Sequence, residues 1–219
     1  MNRMALASVA ILMALGAPAA KGKPVVPRIE IDCSQAPECR AFAMKAQALC
    51  EEWYPRINEI LNGQGAALPY GKVHISFGPV DGAGSTSANH IRVSADWVAK
   101  KAPNDYGMVI HELTHVVQDY RGMGVGWLTE GIADYIRDRH FEPGVRKTLV
   151  TARNSYRDGY GTTAAFLSWL EKTKDPQIVR KLNAASRAGS SVAAVFREAT
   201  GKTLDELWKD FVQSLKGRP

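Results

Sequence analysis

Two histidines four residues apart, with a glutamate after the first, form the run His111-Glu112-Leu113-Thr114-His115. On a helix these positions lie one turn apart on one face, so both imidazoles can reach a single zinc ion while Glu112 sits beside them. Zinc lowers the pKa of its water towards ~7, and a carboxylate in the place of Glu112 can take the proton as that water attacks a carbonyl, then hand it to the leaving amine. With five histidines among 219 residues, the pattern arises by chance in roughly half a percent of such chains, which weighs against unconnected surface histidines. A catalytic zinc needs a third protein ligand and an open position. The run Trp127–Tyr135, WLTEGIADY, offers Glu130 for this, and Asp134 one turn later on the same face, where it could accept a hydrogen bond from a ligand imidazole and set its tautomer. The competing reading of Glu130 and Asp134 is a solvated acidic face.

These residues need a helix to hold them. Val109, Leu113, Val117 and Tyr120 recur at helical spacing and predict a helix from a cap at Asn104 to about Tyr120, its apolar stripe turned away from the histidines. Gly122, Gly124 and Gly126 then form a turn, and a second helix carries Glu130 to about Arg139. Upstream, PRIEIDC and KVHISF alternate like strands around a long amphipathic helix from Glu38 to Leu61. The segment DGAGSTSANH reads as an exposed loop leading to a short edge strand, His90–Ser94, where Ile91 to Val93 would pair with an extended substrate and His90 would line the cleft. His74 and His140 have no partners at ligand spacing. Beyond Pro103 the signals are helical, including Asp175-Pro176 at a helix start and a capping box of Thr203 and Glu206. The expected fold is α+β: a small mixed sheet with helices in a lobe over about 24–121, the zinc helix across the middle, and a helical lobe over about 122–219 closing the cleft.

The chain begins with Arg3, an apolar run from Met4 to Leu15, and Ala17 and Ala19 in an A-x-A arrangement, which reads as a secretory signal peptide over residues 1–19. The mature protein is then expected outside the cytoplasm, extracellular or periplasmic, as one domain over 20–219. No later run approaches the roughly 18 apolar residues of a membrane span. The formal charge of +6 falls to +5 without the leader, and no basic run is long enough for a nucleic-acid or membrane patch. Export makes disulfides available. Cys39 and Cys50 read as lying about 16 Å apart along one helix, so an intrachain bridge requires Cys33 with one of them and leaves one thiol over.

The Gly and His that extend the motif in metzincins are absent, since Gln118 and Arg121 stand at those positions. HELTHVVQ, WLTEGIADY, DGYGTTAAFLSWL, LDELWKDF and GSTSANHIRVSADW instead resemble the plant basic secretory protein family and its bacterial relatives, described as peptidases of plants and bacteria. The similarity runs from about Pro69 to the C-terminus. It implies a zincin-like fold with a gluzincin type of site, in which His111, His115 and Glu130 bind zinc, Glu112 is the base and Asp134 the orienting residue. Tyr160, in DGYGTT, is a candidate donor to the developing oxyanion by resemblance to the tyrosine or histidine in the C-terminal part of many zincins, or else a core tyrosine; Tyr156 is a poorer candidate. The expected protein is a monomeric zinc metallopeptidase acting on peptide or protein. Its alternatives are a cell-wall peptide amidase and a secreted zinc-containing binding or defence protein without peptidase activity.

Overall fold

The computed structural model describes residues 27–122 and 124–216; the signal-peptide reading of 1–19 lies outside them. The first strand, β1 (Arg28–Asp32), leads through a short helical turn, Pro37–Cys39, into α1 (Arg40–Asn62). Phe42, Ala43, Ala46, Cys50, Tyr54, Ile57 and Leu61 are buried along α1 at intervals of three and four, as an amphipathic helix requires. Strands β2 (Lys72–Gly78), β3 (Gly84–Ser87) and β4 (His90–Ser94) follow. They form a mixed sheet of order β1-β2-β4-β3, parallel except where β3 runs antiparallel to β4. Alternation places Val73, Ile75, Phe77, Ile91 and Val93 in the core, and His74, Ser76, His90 and Arg92 on the opposite, more exposed face.

The rest is helical: α2 (Tyr106–Gln118), α3 (Gly126–Tyr135), α4 (Tyr160–Thr173), α5 (Ile178–Arg187), α6 (Val192–Thr200) and α7 (Leu204–Lys216). Widened turns with i→i+5 hydrogen bonds, Trp97–Lys101 and Ile136–Phe141, precede α2 and continue α3. One apolar core runs from Ile29 to Phe211, so sheet and helices share an interior, and the architecture is α+β. Among the described residues no helix is long and apolar enough to cross a membrane.

Several expectations need correcting. The strand His90–Ser94 is internal, paired with β2 on one side and β3 on the other. The edge is β3, formed by part of the segment read as a loop, because Gly-Ser-Thr-Ser lacks the apolar alternation that signals a strand. His90 points away from the cleft, its Nε2 2.8 Å from Ser76 Oγ. Asp105, rather than Asn104, caps α2, accepting from Met108 N at 3.1 Å. Cys33, Cys39 and Cys50 are free thiols. Cys50 is buried in α1 against the core, and burial pushes its thiol far above the usual range.

Candidate metal centre

Helix α2 is buried over nearly its whole length, sandwiched between α1, α3 and strands β3 and β4. Both ends are tied. At the N-terminus, Asp105 also accepts from Trp97 Nε1 at 3.0 Å and pairs with Arg137 at 2.6 Å. At the C-terminus, Arg187 of α5 donates to the carbonyls of Val117 and Gln118, at 2.5 and 3.2 Å, meeting orphan acceptors with a cation as the helix dipole favours. Asp119 then leaves the helix at φ 42°. His111 is 8% exposed and Glu112 7%, so the motif lies on the inner wall of a cleft.

The two imidazoles present Nε2 to Nε2 at 3.2 Å. Glu130 Oε2, from α3, lies 3.1 Å from His111 Nε2 and 3.5 Å from His115 Nε2. One donor atom from each of the three residues falls within 4.8 Å of the others, a set that could hold a metal ion. The opposite ring nitrogens are engaged: His111 Nδ1 with Asp134 Oδ1 at 2.7 Å, and His115 Nδ1 with Gln118 Oε1 at 2.6 Å. Both acceptors draw a proton to Nδ1, which leaves the Nε2 lone pairs aimed at one another and at a carboxylate. Only a proton or a cation can relieve that crowding, so the donor set fits a metal. Burial opposes charge on His111, but its bonds to Asp134 and Glu130 outweigh it and raise the imidazole to about 9. Burial likewise works against ionised Glu130, yet the two imidazoles beside it hold it at about 2. The proton His111 keeps is the one a metal ion would displace.

Asp134 is buried, and Arg146 grips it with Nη1 and Nη2 at 3.2 and 2.9 Å. Burial would raise this carboxyl, but His111 and Arg146 together lower it. Helix α3 approaches α4 closely because Gly131 has no Cβ: one built there would overlap the side chain of Thr163.

Glu112 faces the opposite wall. Its Oε2 accepts from Thr86 Oγ1 of β3 at 2.6 Å. Gly84 lets β3 come this near, since a Cβ there would meet Met108 Sδ at 3.0 Å and Glu112 Cγ at 3.1 Å. Tyr160, first residue of α4, stacks over His111 with ring centroids 6.0 Å apart and planes at 14°. It is 55% exposed, so its core reading fails. The negative charge of Glu130, then burial and the charges of Asp134 and Glu112, push its phenol upward, so it keeps its proton as a donor must. Tyr156 is the core tyrosine, donating to Asp205 at 2.9 Å. Thus His111, Glu112, His115, Glu130, Asp134 and Tyr160 all meet at one cleft of about 720 Å³. His74, His90 and His140 stand apart from it. Thr86, Gln118 and Arg146 also line it, and nothing in their types or spacing announced them.

Two helices thus present two imidazoles and a carboxylate that could hold a metal ion, beside a second carboxylate in an open cleft. Residues 40–211 match the profile of the BSP family, described as peptidase of plants and bacteria. The chain belongs to that family. No curated protein and no solved structure matches it.

Proposed function

We propose that this protein is an exported zinc metallopeptidase in which His111, His115 and Glu130 hold the ion and Glu112 is the general base. The observation that carries the reading is the convergence of three donor atoms within 4.8 Å, next to a second, independently positioned carboxylate facing an open cleft. Zinc bound there would polarise the scissile carbonyl and acidify a water, the chemistry that peptide hydrolysis at neutral pH requires.

The chain's own groups supply the rest. Glu112, held by Thr86 against the edge strand, takes the proton of the attacking water and returns it to the leaving nitrogen. Tyr160 donates from the opposite side to the oxygen that gains negative charge. Strand β3 is one edge of the sheet, and an extended peptide added there would gain backbone hydrogen bonds alongside Glu112. Asp134 keeps the His111 proton on Nδ1 so that Nε2 is free for the ion.

The test compares the mature protein with Glu112→Gln for zinc content and for hydrolysis of a mixed peptide library. About one zinc in each, with cleavage by the parent alone and a loss of at least ~10³-fold in the variant, is the expected result. Zinc in both with cleavage by neither would overturn the peptidase assignment and favour a binding protein.

A further inference from the structure

We propose that Gln118 is a positioning residue: it fixes the tautomer of His115 and couples that ring to the helix that supplies Glu130. The inference rests on the metal reading of the site.

Gln118 is the last residue of α2 and is 1% exposed, so no bulk water can substitute for its partners. Its Nε2 lies 2.9 Å from the carbonyl oxygen of Thr129, the residue before Glu130. A carbonyl oxygen only accepts, so the amide nitrogen must face Thr129 and the amide oxygen must face His115. That oxygen, 2.6 Å from His115 Nδ1, also only accepts. The proton of neutral His115 therefore sits on Nδ1, and Nε2 is bare where it meets Glu130 and His111. The tautomer follows from one backbone carbonyl eleven residues along the chain from Gln118, with no assumption about hydrogens.

The two imidazoles are thus served differently. His111 leans on a carboxylate, Asp134, itself clamped by Arg146. His115 leans on a neutral amide three residues along its own helix, whose other end grips α3. The backbone makes this possible: Asp119 turns the chain out of α2 at φ 42°, and Arg187 pins the carbonyls of Val117 and Gln118. A shift of α3 against α2 is then passed directly to the angle of the His115 ring.

Metal-stripped parent, Gln118→Met and Gln118→Glu would be compared for zinc affinity by competition with a chromophoric chelator, and for melting temperature before zinc is added. Methionine fills the space but accepts nothing from Nδ1, and a 10- to 100-fold weaker affinity is expected. Glutamate still accepts from Nδ1 but loses the amide donor to Thr129, so its melting temperature should fall while its zinc affinity stays within about threefold of the parent's or rises. Affinities that fall in step with melting temperature in both variants, or an unchanged affinity in Gln118→Met, would overturn the assignment. Nitrogen-15 NMR adds a reading that does not depend on the variants' folding. A slowly exchanging proton on His115 Nδ1 is expected in the parent, and its absence there overturns the proposal. If the parent binds no zinc, the metallopeptidase reading falls, and the His115 Nδ1 proton still decides the role of Gln118.

Discussion

Tyr160 stands at φ 45°, a left-handed conformation that costs a side chain with a Cβ on the order of 1 kcal/mol. The geometry carries that cost at the mouth of the cleft, where the ring stacks over His111. Tyr160→Phe is expected to fold normally and lower kcat by roughly 10²-fold with little change in KM. Tyr160→Gly should lose the same activity yet raise stability by about 1 kcal/mol, because glycine adopts the conformation freely. Equal melting temperatures and undiminished kcat would remove the tyrosine from the mechanism. Asp138 makes a pH-dependent contribution. Its Oδ1 is buried without a hydrogen-bond partner among the described residues, 3.4 Å from Arg146. Burial, opposed by Arg146 and aided by the charge of Asp134, raises its pKa to about 6. The native state therefore binds the proton more tightly than the unfolded chain, whose aspartate titrates near ~3.9. Stability from this group declines as pH rises from about 4 to about 6, and above that range the whole penalty is present. Asp138→Asn should raise the melting temperature at about pH 7 and leave it nearly unchanged near pH 3.5; a pH-independent difference would refute the account. At this scale, His111 and His115 were legible because their spacing turns both to one point, Glu112 because it follows the first of them, and Glu130 and Asp134 because they share a helical face one turn apart. Thr86, Gln118 and Arg146 were not, since a threonine in a Gly-Ser run, a glutamine at a helix end and an arginine in a loop carry no periodicity.

Between elements, the close approach of α3 to α4 at Gly131 places Glu130. Adding a methyl there forces Thr163 aside, and Gly131→Ala is expected to cost about 1–3 kcal/mol and weaken metal binding as α3 moves. Calorimetry together with chelator competition would check both, and Thr163→Ser, which removes a methyl but keeps the hydroxyl that donates to Tyr156 O at 2.6 Å, should recover part of the stability. An unchanged melting temperature in Gly131→Ala would show that the contact is slack. The helices were foreseeable from 3.6-residue periodicity, with α1 beginning two residues later than expected and α2 capped one residue later. Strand β3 was hidden because its stability comes from pairing with β4 and from packing on α2, not from its own residues. A strand of Gly, Ser and Thr has almost no local preference, so only its neighbours define it.

For the molecule as a whole, the ion would join α2 to α3 in addition to the shared core. Zinc at about 1,000 times its dissociation constant would stabilise the fold by about 4 kcal/mol, or roughly 10 °C for a chain of this size. Stripping the metal with a chelator should lower the melting temperature by that order, and Glu130→Gln should shrink the difference; a melting temperature indifferent to chelator would mean that no ion is held in the native state.

The groups that would seat and orient the ion, His111, His115, Gln118, Glu130 and Asp134, fall within one helical hairpin, its farthest bonded pair 23 positions apart. Closing so short a loop is entropically cheap, and a chain made from its N-terminus completes the hairpin before α4 to α7 exist. Loading and enclosure are thereby separable in time. An ion bound there would tie α2 to α3 at the point where the later helices condense on them.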